Sequence, residues 1–250
     1  MTLPGLGPKE MGFFAPNWSP GSGTFSIAGV PGPAKHAPVT VHVLPAGPLP
    51  TNAYLLTDPG RSSEAVLIDA PEDIWEPVQE ILAREGCRLT ALWITHGHWD
   101  HIQGAAEVVR RAQVPVLAHA ADKTLLLDPQ VMMRYLGAGL RLEAVPVTRW
   151  IAAGEKLPIG AGLAEVRHVP GHCPGNILFY IPELGAAFVG DALFAGSVGR
   201  TDLPGGSAET LAESIRTQIY TLPDATVVYP GHGPSTTVGA EKRFNPYVRA

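Results

Sequence analysis

Cysteine is nearly absent: Cys87 and Cys173 are the two in 250 residues. That excludes a disulfide scaffold and points to a reduced, cytoplasmic setting. Charged residues make up 16% of the chain, too few for an intrinsically disordered protein. No run of about 18 apolar residues occurs, so no membrane-spanning helix and no membrane partner is expected. Residues 1–12 lack the basic start and apolar run of a secretory signal. The formal charge of −5, with no Lys/Arg run, argues against a nucleic-acid partner. A Gly-x-Ser-x-Gly elbow, a phosphate loop and a His-Glu-x-x-His helix are all missing, which removes the usual rival hydrolase motifs.

What is present is apolar and punctuated. Hydrophobic residues are 45% of the chain and the mean hydropathy is +0.10, enough for a sizeable core. The 28 glycines and 25 prolines imply many loops. Seven of each fall within residues 1–38, where regular helix or strand is not expected. Phe13, Phe14, Trp18 and Phe25 make that segment too apolar for a free linker. It reads as an irregular arm laid on a single domain spanning 39–250.

Within the domain, strands are predicted at 39–44, 52–57, 65–68, 89–95, 115–118, 165–168, 176–181, 186–190 and 226–229. Helices are predicted from Pro71 to about 85, and over 103–112, 122–127 and 208–219. Tight turns join some strands and helices separate others. That mixture indicates an α+β fold of packed sheets with helices outside, rather than a doubly wound parallel sheet.

The chemistry concentrates in Thr95-His96-Gly97-His98-Trp99-Asp100-His101, directly after an apolar strand. In an extended chain His96 and His98 project to one side, so both imidazoles can reach one metal ion. Asp100 and His101 fall on the next turn and can serve a second. Imidazole and carboxylate suit zinc, iron or manganese. Further candidates stand at other strand ends: His172 in Pro170-Gly171-His172-Cys173-Pro174-Gly175, Asp191 after an apolar run, and His232 in Pro230-Gly231-His232-Gly233-Pro234. His36, His42, His119 and His168 read as structural or surface histidines, with His119 a candidate for orienting a ligand. Trp99 reads as a packing wedge.

The order His-x-His-x-Asp-His, then His, Asp and His, resembles the metallo-β-lactamase fold superfamily of metallohydrolases over roughly 39–235. The resemblance implies an αβ/βα sandwich of two mixed β-sheets with helices on the outer faces and a binuclear site at the sheet edges. It implies that His96, His98 and His172 hold the first ion, that Asp100, His101 and His232 hold the second, and that Asp191 bridges them. Asp191 stands where secreted zinc β-lactamases carry cysteine, which counts against antibiotic hydrolysis.

Within that superfamily the segment from Phe194 to Gly206, and the ending Arg243-Phe244-Asn245-Pro246-Tyr247, resemble the short bacterial glyoxalase II-like proteins. Arg200 stands where longer relatives carry a glutathione-contacting lysine, and Asp202 where they carry tyrosine. The function implied is hydrolysis of a small-molecule thioester by a hydroxide shared between two divalent ions, zinc foremost, with Asp100 and Asp191 as catalytic carboxylates and Arg200 as a substrate contact. The alternatives are a mononuclear iron persulfide dioxygenase of the same fold, a lactone or other ester hydrolase, a nucleic-acid-processing metallohydrolase, and a metal-binding module without catalysis.

Overall fold

A computed structural model describes residues 24–25, 39–135, 141–160 and 162–250. Of the arm, the described part is the strand β1 (Thr24–Phe25), which pairs antiparallel with β2, so this much of the segment is regular. The other arm residues, including Phe13, Phe14, Trp18 and His36, lie outside the described residues.

The first half of the domain runs β2 (Thr40–Ala46), β3 (Thr51–Asp58), β4 (Glu64–Ile68), α1 (Trp75–Glu85), β5 (Arg88–Trp93), α2 (Trp99–Ile102), α3 (Ala105–Ala112), β6 (Val116–His119), α4 (Lys123–Leu127), α5 (Pro129–Met133) and β7 (Arg149–Ile151). The second half runs β8 (Lys156–Ile159), β9 (Gly162–His168), β10 (Ile177–Ile181), β11 (Ala186–Gly190), β12 (Leu193–Phe194), β13 (Ser197–Val198), α6 (Ala208–Ser214), β14 (Val227–Pro230), β15 (Thr236–Thr237) and α7 (Val238–Phe244).

Strands β1 to β7 form one sheet in chain order, antiparallel as far as β4 and parallel from there. The second sheet has the order β15-β14-β11-β10-β9-β8, with β11 and β14 parallel and the other pairs antiparallel. Both sheets are mixed.

Strand periodicity sorts the core into three layers. Tyr54, Leu56, Val66, Ile68 and Trp93 face Val166, Phe179, Ile181 and Phe188 between the sheets. Their in-sequence neighbours Leu55, Leu67 and Leu92 turn the other way, against Val78 of α1, Val108 of α3 and Leu126 of α4. Leu178 and Val189 likewise turn outward, onto Leu211 of α6 and Val238 of α7. The result is the expected αβ/βα sandwich.

Several boundaries depart from the sequence reading for local reasons. The first helix begins at Trp75, not Pro71, because Asp73 adopts φ 61°, which no helix continues. The helix expected over 103–112 is α3, which starts only at Ala105 and is preceded by a separate short helix, α2. Gly104 separates them, its amide on the Ala70 carbonyl at 2.8 Å and its Cα so close to Pro71 that a Cβ would lie 2.3 Å from the Pro71 oxygen. The helix expected over 208–219 is α only to Ser214, and Ile215–Ile219 continues with π spacing. β7, β8, β12, β13, β15, α2, α5 and α7 were not anticipated. α7 is signalled by Thr237, whose hydroxyl caps the Ala240 amide.

Candidate metal centre

The sheets meet at one edge, and the candidate residues stand there. β5 leads into His96, His98, Asp100 and His101; β9 into His172; β11 into Asp191; and β14 into His232. The structure brings all seven together. Donor atoms of His96, His98 and His172 lie within 4.8 Å of one another, as do those of His96, His101 and Asp191, and those of Asp100, His101 and His232. Asp191 spans the halves: one oxygen is 3.2 Å from His101 Nε2, and the other is 3.6 Å from His172 Nε2 and 3.5 Å from His232 Nε2.

Outer partners fix where His96, His101, His172 and His232 present their lone pairs, while His98 Nδ1 faces His172 Nε2 at 2.7 Å. His101 Nδ1 is 2.8 Å from Asp69 Oδ2 and donates to it. Thr95 Oγ1 gives its proton to Asp69 Oδ2 at 2.7 Å, so its 3.0 Å contact with His96 Nδ1 is one in which the ring donates. His172 Nδ1 donates to the Arg200 carbonyl at 2.8 Å, and His232 Nδ1 faces the Pro50 carbonyl at 3.3 Å. In its neutral form each of these rings therefore turns an unprotonated Nε2 inward. His96 Nε2 and His172 Nε2 are 3.2 Å apart, two acceptors face to face. The buried His101 Nε2 and Asp191 Oδ1 make no hydrogen bond despite their proximity. Lone pairs converging from His96, His172 and, once deprotonated, His101 and His232 fit a shared electrophile, and N/O ligands of this kind suit zinc, iron or manganese.

The halves differ electrostatically. Burial and the neighbouring histidines hold His96 well below its ordinary range, and burial with His172 pushes His98 down to about 3. Burial also lowers His172, against the pull of Asp191. On the other side, burial opposes charge on His232, but Asp191 and the contacts to Asp100 and Asp191 push it up to about 10. His101 is likewise driven well above its usual value, against burial, by Asp191, Asp100 and Asp69. Burial works against ionisation of Asp191, yet His232 and His101 hold it well below the usual carboxylate range. One half is neutral and the other is charge-paired.

Sequence reasoning missed Asp69, Thr51 and Asp122. Asp69 is buried at the end of β4 and also accepts the Thr95 amide at 2.7 Å. It has the same signal as Asp191, an aspartate closing an apolar strand. Thr51 donates to Asp100 Oδ2 at 2.9 Å. Asp122 accepts backbone amides from two histidine loops, those of Gly97 and Gly175.

Arg200 meets the cluster through its carbonyl; its half-exposed guanidinium is paired with Asp202 at 2.7 Å. His119 lies outside the cluster and stacks on His168 with ring centroids 4.2 Å apart. His42 is buried against Glu85 at 3.0 Å. Trp99 packs in the core beneath the helices. Burial and Asp122 push the Cys173 thiol well up, which makes it a donor rather than a nucleophile. No helix among the described residues is long and apolar enough to cross a membrane.

A family model described as the metallo-beta-lactamase superfamily matches residues 46–232. The hydroxyacylglutathione hydrolase GloC of Haemophilus influenzae is 35% identical over 85% of this chain and 99% of its own. The solved structure of BLEG-1 B3 metallo-beta-lactamase is 36% identical, with a TM-score of 0.77 over 84% of this chain and all of the other. TTHA1623, solved in a di-iron-bound form, is 38% identical with a TM-score of 0.72, covering 83% of this chain and all of that one.

Proposed function

The chain belongs to the metallo-β-lactamase superfamily and is a metal-dependent hydrolase, and from that premise we propose that it hydrolyses small-molecule thioesters at a two-ion site. The observation that carries the reading is the pair of histidine groups joined through Asp191. In this reading His96, His98 and His172 hold one ion, Asp100, His101 and His232 the other, and Asp191 both. Zinc is the ion proposed; the di-iron form of TTHA1623 makes iron the nearest alternative. Two such ions, when bound, lower the pKa of water to about 7 and polarise an acyl oxygen.

The chain's own residues supply the arrangement. Asp69, Thr95, the Arg200 carbonyl and the Pro50 carbonyl fix the ring orientations, so the site is set before substrate arrives. Thr51 steadies Asp100, which orients the attacking water. A thiolate leaving group needs little protonation, which suits a site with no separate acid beside it among the described residues. Arg200 is the proposed contact for an anionic part of the thiol, exchanging Asp202 for substrate. The kinship with GloC supports a glutathione thioester as the first substrate to try. Two free cysteines accord with a cytoplasmic setting.

The test is a panel of S-acylglutathione, lactone, β-lactam and persulfide, offered to zinc-loaded and iron-loaded protein. Thioester turnover with kcat/KM of about 10⁴ M⁻¹s⁻¹ or more is expected. One tightly bound iron with persulfide-dependent oxygen uptake, or β-lactam as the preferred substrate, overturns the thioester reading.

A further inference from the structure

Asp122 is 1% exposed and lies one residue before α4, outside every group of candidate ligands. Its Oδ2 accepts the Gly97 amide at 2.8 Å and the Cys173 thiol at 3.1 Å; its Oδ1 accepts the Gly175 amide at 2.6 Å. Gly97 stands between His96 and His98, and Cys173 directly follows His172. One carboxylate thus ties a loop of the first sheet to a loop of the second. These are the two loops that present the three-histidine group. None of its three bonds goes to Asp100, His101, Asp191 or His232.

Both glycines are shaped by this contact. A Cβ on Gly97 would lie 2.7 Å from Leu125 Cβ and 3.3 Å from Asp122 Cβ. A Cβ on Gly175 would lie 2.5 Å from Asp122 Cγ. The loops close on the carboxylate because nothing stands between. An ionised carboxylate is acceptor-only, so it can satisfy three donors at once, which a carboxamide of the same size cannot.

We propose that Asp122 is a positioning residue for the three-histidine half of the site: by holding Gly97 and Gly175 it sets the distance between the His96/His98 pair and His172, and thereby the affinity for the ion held there. The inference rests on the reading that these histidines hold an ion.

The experiment is a competition titration of the full chain with zinc alone against a chromophoric chelator, for wild type, Asp122→Asn and His172→Ala. In Asp122→Asn the NH2 must face an N–H or the thiol whichever way the amide turns. One of two zinc affinities should fall about 10- to 100-fold while the other changes little. A general structural defect would weaken both, and cobalt(II) added instead of zinc should show an altered visible band from the weakened half alone. Two unchanged affinities in Asp122→Asn, with one ion lost in His172→Ala, overturn the positioning role and leave the site reading intact. Two ions retained in His172→Ala overturn the site reading itself. If Asp122→Asn does not fold, Cys173→Ala carries the test: losing one donor should weaken the same ion about fivefold, and unchanged affinity counts against the proposal.

Discussion

The Asp69 carboxylate stands 2.8 Å behind His101 Nδ1 and, through its other oxygen, takes the Thr95 amide at 2.7 Å. One buried side chain thereby orients a ring of the site and closes the end of β5. Asp69→Ala should cost about 1–3 kcal/mol, because the Thr95 amide is left buried without an acceptor. Urea unfolding of the ion-free protein measures that cost. Zinc affinity on the His101 side should fall about 10- to 100-fold as well.

Asp191 reaches both groups, whereas His232 reaches only one. Asp191→Ala should deplete both ions and abolish hydrolysis; His232→Ala should keep the ion on His96, His98 and His172 with weak residual turnover. Elemental analysis of the folded variants decides. Two ions and near-normal turnover in Asp191→Ala would show that another group bridges.

Proton balance should separate the halves. Near neutral pH His96, His98 and His172 are uncharged, so zinc uptake there releases few protons, while His101 and His232 must each give one up. Affinity of the second half should therefore rise with pH from neutrality towards about 10. Stability of the ion-free protein follows the same shifts. The raised His232 contributes fully below its ordinary 6.5, and that contribution is lost as pH climbs to about 10. The depressed His98 takes up its proton more readily when unfolded, so stability also falls as pH drops from 6.5 towards 3. Urea midpoints on both sides of neutrality, with proton release measured on zinc addition, check each sign.

Gly231 leaves no room for a side chain. A Cβ there would lie 2.1 Å from Asp191 Oδ1 and 2.5 Å from His101 Cε1. Gly231→Ala should cost about 1–3 kcal/mol by overpacking and displace those two donors. Loss of at least one ion from the folded variant is the expected result, read by elemental analysis.

Removal of residues 1–38 should leave both ions in place, since none of the seven clustered residues lies in that arm. The loss of β1 from the edge of β2 should appear in the melting temperature rather than in metal content. Loss of both ions from folded, truncated protein would contradict this.

The sandwich was legible because the buried strands carry strong signals. β10 and β11 are apolar throughout, and 64–68 and 88–93 end in turns that the sequence punctuates. The seven clustered residues were legible because ligand-type side chains stand at strand ends. Asp69 was not, since an aspartate after a strand reads equally as a turn residue, and Asp122 was not, since it stands where the helix over 122–127 is expected to begin; only tertiary contact distinguishes these roles. β7, with three residues and one of them buried, offers too short a period to detect. The break at Gly104 depends on packing against Pro71, which is not local in sequence.

Each histidine group draws from both sheets, and His98 and His172 meet across 74 residues of chain. An ion held there acts as a cross-link of long loop, comparable in reach to a disulfide but broken by acid or a chelator instead of a reductant. Binding only the closed sandwich, it adds its own free energy to closure. Stripping the ions would therefore loosen this edge of the protein before the apolar layer behind it, so the seam that concentrates reactivity is also where the fold is fastened.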